Sequence, residues 1–383
     1  MPEEVQPSAD VSRQSHEPAS SVTLKLERIS CPLCGSSDSS VVMTSKDNLC
    51  GLAGEFHVER CHACGHRFMN PRPVLESLGA CYPPQYGPHQ SVPKTSAVSS
   101  GTNKAIHAAN NDANNPGRPL YLRILPLRYV PGLKRFYNWL MDDRSQPVPI
   151  APAMSHYAAA KGDEPEKPRA LELGCATGQY LVRLQEAGWS ATGIEPGERP
   201  ASIAKEAGLD VHCGTLEATE LQPEQFDLAA AWMVIEHVPD AKETLRRLHS
   251  LLKPGGTLLF SIPNAGCWEV WFFGKCWYAW ELPRHLHHFT PESIRKLLQQ
   301  CGFTDICIMY QRNPSNVVGS LAKFVLTRWP KSRFGRGLMR YPDRPTFATK
   351  LFLAPIAHVV ACMRQGGRLT ISARRPRHSE NEE

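Results

Sequence analysis

The stretch Ala170-Leu171-Glu172-Leu173-Gly174-Cys175-Ala176-Thr177-Gly178-Gln179-Tyr180 is an apolar strand that runs straight into the glycines opening a helix. Glycines let the backbone turn tightly and approach a ligand, and the first N–H groups of the following helix have no partner within it. The combination predicts a nucleotide-sized pocket at the strand's end. Leu181, Leu184 and Ala187 mark one face of that helix, Gly188 stops it, and Trp189 to Ile194 reads as a second strand ending in Glu195. An acid about 20 residues beyond the glycines can accept hydrogen bonds from both hydroxyls of a ribose.

The alternation continues. A helix is expected over Ala201 to Ala207, strands over Asp210 to Cys213 and Phe226 to Trp232, and a helix face through Leu245, Leu248, Leu251 and Leu252. Lys253-Pro254-Gly255-Gly256 ends that helix, and Thr257 to Ile262 is the next strand. Phe303 to Tyr310 reads as a sixth strand and Arg368 to Arg374 as a seventh, after an insertion at about 313–366. Apolar strands separated by helices give a doubly wound sheet covered on both faces. Its ligand sits beyond the carboxyl ends of the strands, where the Gly174 loop, Glu195 and Trp232 converge.

Ahead of this lies a different chemistry. Cys31-Pro32-Leu33-Cys34-Gly35 and Cys61-His62-Ala63-Cys64-Gly65 are two near-copies of one turn, in which the glycine lets backbone N–H groups face the thiolates. Together they offer four soft ligands to a tetrahedral Zn²⁺, with iron as the chemical alternative. All four positions come from protein, so the metal's task is to fold a module too small to build a core. Phe56 to Arg60 and Arg67 to Pro73 read as its short strands, which makes a zinc ribbon. Thirteen cysteines with no secretory leader or apolar span fit a soluble, cytoplasmic chain better than a disulfide framework. A net charge of +6, with basic residues spread out apart from Arg364 to Arg377, gives no electrostatic case for nucleic acid. The expected organisation is a disordered tail over 1–22, the ribbon over 23–90, a flexible linker over 91–119, a helical arm and linker over 120–168, the α/β domain over 169–375 and a polar tail over 376–383.

A lone glycine loop with a distant acid also suits a dinucleotide, but here the form is Gly-x-Ala-x-Gly and not Gly-x-Gly-x-x-Gly. With Ile194-Glu195-Pro196, Cys213-Gly214-Thr215-Leu216-Glu217, Phe226-Asp227, Val234-Ile235-Glu236-His237-Val238 and Leu252-Lys253-Pro254-Gly255-Gly256, the chain over roughly 169–310 resembles the class I S-adenosylmethionine-dependent methyltransferases. The paired knuckles, Asn70-Pro71-Arg72-Pro73 and the later Leu282 to Thr290 segment resemble the bacterial subgroup in which a zinc ribbon precedes that domain. The resemblance implies a seven-stranded Rossmann-like sheet and S-adenosylmethionine as cofactor. It implies that Glu172, Gly174, Cys175 and Gly178 build the loop beside the methionine part, that Glu195 holds the ribose, that Thr215 and Leu216 flank the adenine, and that Trp232 lines the pocket. Ala176 stands where many members have glycine. Related O-methyltransferases place a histidine near the acceptor, at a position corresponding to His237.

Methyl transfer is an in-line displacement, so a base is needed only when the acceptor is a hydroxyl or carbon acid. Two readings stand for His237: that base, or a helix-start histidine bonded to Glu236 or Asp240. His285 and His287 are two apart, a spacing that permits metal binding but lacks a partnering acid among their neighbours. The aromatic run from Trp268 to Trp280 reads as a wall for a sugar or lipid-linked acceptor, or as a packed insertion. Val317 to Met363, apolar and basic in alternation, reads as a helical hairpin or as a surface lying on a membrane. The function expected is methyl transfer to a small-molecule, sugar or lipid-linked glycan acceptor. The rival is a zinc-ribbon interaction protein whose second domain keeps the fold without the activity.

Overall fold

A computed structural model describes residues 24–47, 49–82, 145–149, 151, 167–342 and 347–377. The expected tail at 1–22, the linker at 91–119, most of the arm at 120–168 and the last residues of the polar tail lie outside the described residues.

The main sheet has seven strands: β6 (Arg169–Leu173), β7 (Ser190–Glu195), β8 (Asp210–Cys213), β9 (Phe226–Trp232), β10 (Leu252–Pro263), β12 (Thr304–Tyr310) and β13 (Arg368–Arg374). They lie in the order β12-β13-β10-β9-β6-β7-β8. β13 runs antiparallel to both neighbours, while β10, β9, β6, β7 and β8 pair in parallel. This is a doubly wound, Rossmann-like α/β sheet, and its strand order reverses beside β6, where β9 and β7 flank it. The central strands are buried throughout: Ala229, Ala230 and Ala231 of β9 and Leu171 of β6 are fully covered.

Helices α2 (Gln179–Glu186), α3 (Glu198–Glu206), α4 (Ala241–Leu251) and α6 (Pro291–Gln300) connect the strands. Tyr180, Leu181 and Leu184 form the buried stripe of α2, and Gly188 leaves it at φ 94°. Asp240 caps α4 by accepting from the Glu243 N–H at 2.9 Å, so it is not a partner of His237. Thr290 and Ser293 cap α6 reciprocally, with Pro291 at its first position. The strand expected from Thr257 begins five residues earlier, because the Lys253 to Gly256 stretch stays in the ladder as a bulge between Leu252 and Thr257.

The N-terminal module holds β1 (Leu26–Glu27), β2 (Ser39–Ser45), β3 (Phe56–Cys61), β4 (Arg67–Met69), β5 (Arg72–Pro73) and the one-turn α1 (Leu75–Leu78). Its sheet runs β11-β4-β3-β2, and β11 is His287–His288, far along the chain. His287 pairs with Phe68 and His288 with Arg67. The ribbon is thus extended by a strand of the α/β domain.

The insertion after β12 consists of α7 (Ser315–Arg328), α8 (Arg333–Met339) and α9 (Phe347–Cys362). α7 packs on α8 and on α5 (Trp268–Phe273). No described helix is long and apolar enough to cross a membrane.

Candidate active site and metal centre

At the end of β6 the chain turns through Gly174 at φ 70°, Ala176 at φ 47° and Gly178 at φ 84°. A Cβ on Gly174 would sit 2.5 Å from Val234 Cγ2, and one on Gly178 would sit 2.2 Å from Leu209 Cδ1. Glycine is therefore demanded by both conformation and room. Ala176 takes the same left-handed region with a methyl group, a cost its position in the loop must offset. The N–H groups of Gly174 and Cys175 both donate to the Ile194 carbonyl, at 2.8 and 3.1 Å, so these two tie the loop to β7 and do not face a ligand.

Glu195 stands at the end of β7, almost wholly buried. Its Oε2 accepts from the Ala176 N–H at 2.9 Å and its Oε1 from the Gly197 N–H at 2.8 Å. The carboxylate is thus locked against the glycine loop, each oxygen keeping a second lone pair. Glu172 is buried on β6 with Oε2 unpartnered, and burial, followed by the charge of Glu195, raises its pKa well above the usual carboxylate range. Trp232, closing β9, stacks edge-on against Tyr180 at 5.0 Å, and its Nε1 is buried with no hydrogen-bond partner among the described residues. Thr215 is exposed in the loop after β8, while the Leu216 side chain is buried in the core, which leaves its backbone for any ligand contact. Orphaned buried groups at Glu172 and Trp232 beside a glycine turn fit a polar cofactor laid across these strand ends.

A second constellation gathers at the start of the segment after β9. His237, half-buried, has its Nδ1 3.2 Å from the Arg284 carbonyl oxygen and 3.0 Å from the Tyr82 hydroxyl. In the tautomer with the proton on Nδ1, that nitrogen donates to the carbonyl, which can only accept, and Nε2 keeps its lone pair. Burial, then the neighbouring His285 with its ring 4.5 Å away, pushes the His237 pKa down to about 3. His285 donates from Nδ1 to the Ala279 carbonyl at 2.8 Å, and its Nε2 lies 3.5 Å from Glu281. Glu236 is fully buried with both carboxylate oxygens unpartnered, and burial lifts its pKa to about 8. Glu236, His237 and His285 bring one ligand atom each within 4.8 Å of one another, so the cluster suits proton handling or a divalent ion.

His285 therefore has an acid beside it after all: Glu281, four residues earlier, a spacing the sequence displays. His287 instead bonds His66 at 3.3 Å and the Val238 carbonyl at 3.0 Å, and His288 is buried in the ribbon's shared ladder, so neither joins the cluster. Tyr82 lies 155 positions from His237, and no sequence signal joins them.

In the ribbon, the sulfurs of Cys31, Cys34, Cys61 and Cys64 all lie within 4.8 Å of one another, with Cys31–Cys64 and Cys34–Cys61 each at 3.5 Å. A tetrahedral Zn–S site with bonds of about 2.3 Å sets sulfurs roughly 3.8 Å apart. The Leu33 and Cys34 N–H groups point at the Cys31 sulfur and those of Ala63 and Cys64 at the Cys61 sulfur. Gly35 and Gly65, at φ 75° and 76°, close the turns by donating to the Cys31 and Cys61 carbonyls at 2.8 and 2.9 Å. Cys50 and His62 stay out of the cluster, and His66 is engaged with His287.

Residues 149–308 match the model of a family described as "Methyltransferase domain". Among curated proteins, the chain is 32% identical over 130 residues to a ubiquinone biosynthesis O-methyltransferase of Pseudomonas entomophila, covering 32% of this chain and 56% of that protein. It is 32% identical over 149 residues to the protein of that name from Pseudomonas fluorescens, covering 36% and 64%. The chain thus spans little more than half the length of the curated relatives it matches. Among solved structures, one titled as a SAM-dependent methyltransferase and possible histamine N-methyltransferase from Thermotoga maritima aligns with a TM-score of 0.37 at 20% identity, over 65% of this chain and 97% of that one.

Proposed function

We propose that this chain is an S-adenosylmethionine-dependent methyltransferase acting on a small-molecule acceptor, with a sugar or lipid-linked glycan as the finer reading, and that Zn²⁺ holds its ribbon. The observation that carries the reading is the lock between the glycine loop and Glu195, Ala176 N–H to Oε2 at 2.9 Å, at the carboxyl ends of β6 and β7 where the strand order reverses. The family match over 149–308 and the relatives named for O-methylation support it.

When bound, the cofactor would supply an electrophilic methyl group on sulfur. Glu195 would hold the ribose hydroxyls with its remaining lone pairs, Gly174 and Gly178 would admit the methionine part, Thr215 and the Leu216 backbone would border the adenine, and Trp232 Nε1 would donate into the pocket. Cys175 and Glu172 support the loop from beneath. On the acceptor side, His237 Nε2 would take a proton from a hydroxyl, its ring held by the Arg284 carbonyl and Tyr82. Four thiolates would bind the Zn²⁺, which leaves it no open position for chemistry.

Titration calorimetry with S-adenosylmethionine, S-adenosylhomocysteine and the nicotinamide cofactors tests the first claim, and labelled methyl transfer to phenolic and sugar acceptors the second. Binding of the two adenosyl ligands alone is the expected result. Absence of binding at millimolar concentration sinks the enzyme reading, and binding without transfer to any acceptor leaves the alternative of an interaction protein whose domain binds the cofactor but is inactive.

A further inference from the structure

Sixteen large apolar side chains are exposed among the described residues, and eleven of them lie on α5 or between Leu321 and Met363. On α9 the pattern is inverted relative to a helix that serves a protein core. Phe352, Ile356 and Val359, with Met363 just past the helix end, are 77%, 56%, 59% and 66% exposed, at spacings of four, three and four residues that form one stripe. The face turned inward carries Ala354, Ala357 and His358, each less than a tenth exposed. Small residues seat the helix and large ones face outward, an arrangement that stays costly in water.

Trp271 and Phe272 on α5, at 76% and 61% exposure, add apolar surface on the element against which α7 packs, and Trp329 and Phe334 flank the α7–α8 turn at 59% and 64%. Between and beside these, Lys331, Arg333, Arg336 and Arg340 are exposed. Residues 311–367 contain ten Lys or Arg against the single Asp343, while the whole chain carries only +6, so the rest of the protein is net acidic. The net positive charge and most of the exposed large apolar groups therefore fall in the same part of the chain. α9 has sixteen residues, about 24 Å at the usual rise, short of a hydrocarbon core of roughly 30 Å.

We infer that α5 and α7–α9 form a docking surface for an anionic lipid bilayer, with α9 lying in the plane of the interface. Aromatic rings with basic neighbours are the composition that settles at a headgroup layer, and basic residues close to an anionic leaflet add attraction that salt weakens. A protein partner or a second copy of the chain would need a complementary acidic, apolar face. The inference stands independently of the methyltransferase reading, since it uses none of the site residues.

The test is flotation of the purified full chain with vesicles of phosphatidylglycerol and phosphatidylcholine (1:1) and of phosphatidylcholine alone, with light scattering of the protein by itself. Flotation with the anionic vesicles, falling at least about tenfold on raising salt from 50 to 500 mM, is the expected outcome. F352E/I356E and, separately, K331E/R336E should each cut the bound fraction at least about tenfold with circular dichroism unchanged. Both pairs are exposed, so folding does not depend on them. Failure to float with anionic vesicles overturns the inference. So does a dimer in solution that F352E/I356E dissolves, because the stripe would then be covered by a second copy.

Discussion

Glu195 spends one lone pair of each carboxylate oxygen on the loop it faces, through Ala176 and Gly197. Glu195→Ala should weaken S-adenosylmethionine binding by about 1.5–3 kcal/mol, the range for hydrogen bonds to a charged group, and also loosen the loop. Calorimetry that finds an unchanged dissociation constant removes Glu195 from the site. His237→Gln should lower turnover about 10²–10⁴-fold with cofactor affinity nearly unchanged. The burial that pushes the His237 pKa down to about 3 makes a second prediction. Only the neutral ring takes a proton, so the chemical step should hold its rate as pH falls through 6.5 and lose it only towards pH 3. An inflection near 6.5 in single-turnover rates would show that the ring is solvated when the acceptor is bound. The place of Glu195 at the end of β7 was legible because its distance from the glycines is fixed by one strand–helix–strand unit. Tyr82 and Arg284 were not, because they reach His237 through tertiary packing, which leaves no local period.

The elements themselves were mostly readable: β13 falls on the expected Arg368–Arg374, since a buried strand bounded by Gly366-Gly367 has little freedom of register. β11 escaped because two buried histidines in a loop carry no alternation. The aromatic run from Trp268 is packed in one half and exposed in the other. Trp277 and Trp280 are buried and meet edge to face at 5.0 Å, whereas Trp271 and Phe272 face outward. Beneath the run, Glu269 accepts from Trp277 Nε1 at 3.2 Å, and burial raises its pKa to about 7. Its folded pKa lies above the ordinary value near 4.5. The native state therefore keeps a proton that the unfolded chain releases, and stability contributed here falls as pH rises from about 4.5 through 7. Glu269→Gln should flatten that slope in denaturant titrations at pH 5 and 7.5. An unaltered slope places its origin elsewhere, with Glu236 the next candidate.

At the scale of the molecule, ribbon and sheet are joined by more than a linker. Asp47, between β2 and β3, holds Arg284 through a buried ion pair at 2.6 Å, both side chains wholly covered, and the Arg284 carbonyl orients His237. Asp47→Ala should cost about 3–5 kcal/mol by removing the guanidinium's closest buried partner and leaving it only the longer ion pair to Glu281, measurable as a lowered unfolding midpoint. If the four thiolates hold Zn²⁺ as proposed, Cys34→Ser should release it and lower acceptor turnover while S-adenosylmethionine still binds, because Glu195 and the glycine loop bond within the α/β domain. Equal loss of both would mean the domain cannot fold without its ribbon. The shared ladder also has a consequence in time. His66 and His287 are separated by 221 positions, so at roughly 5–20 residues per second the ribosome delivers the partner strand some 10–45 s after the ribbon. Through that interval β4 is an open edge and His66 is uncovered. The nascent chain thus has a window in which its four cysteines can gather a metal before the strand that covers the β4 edge arrives, and growth in metal-poor medium should lead it to misassemble cotranslationally before any chemistry fails.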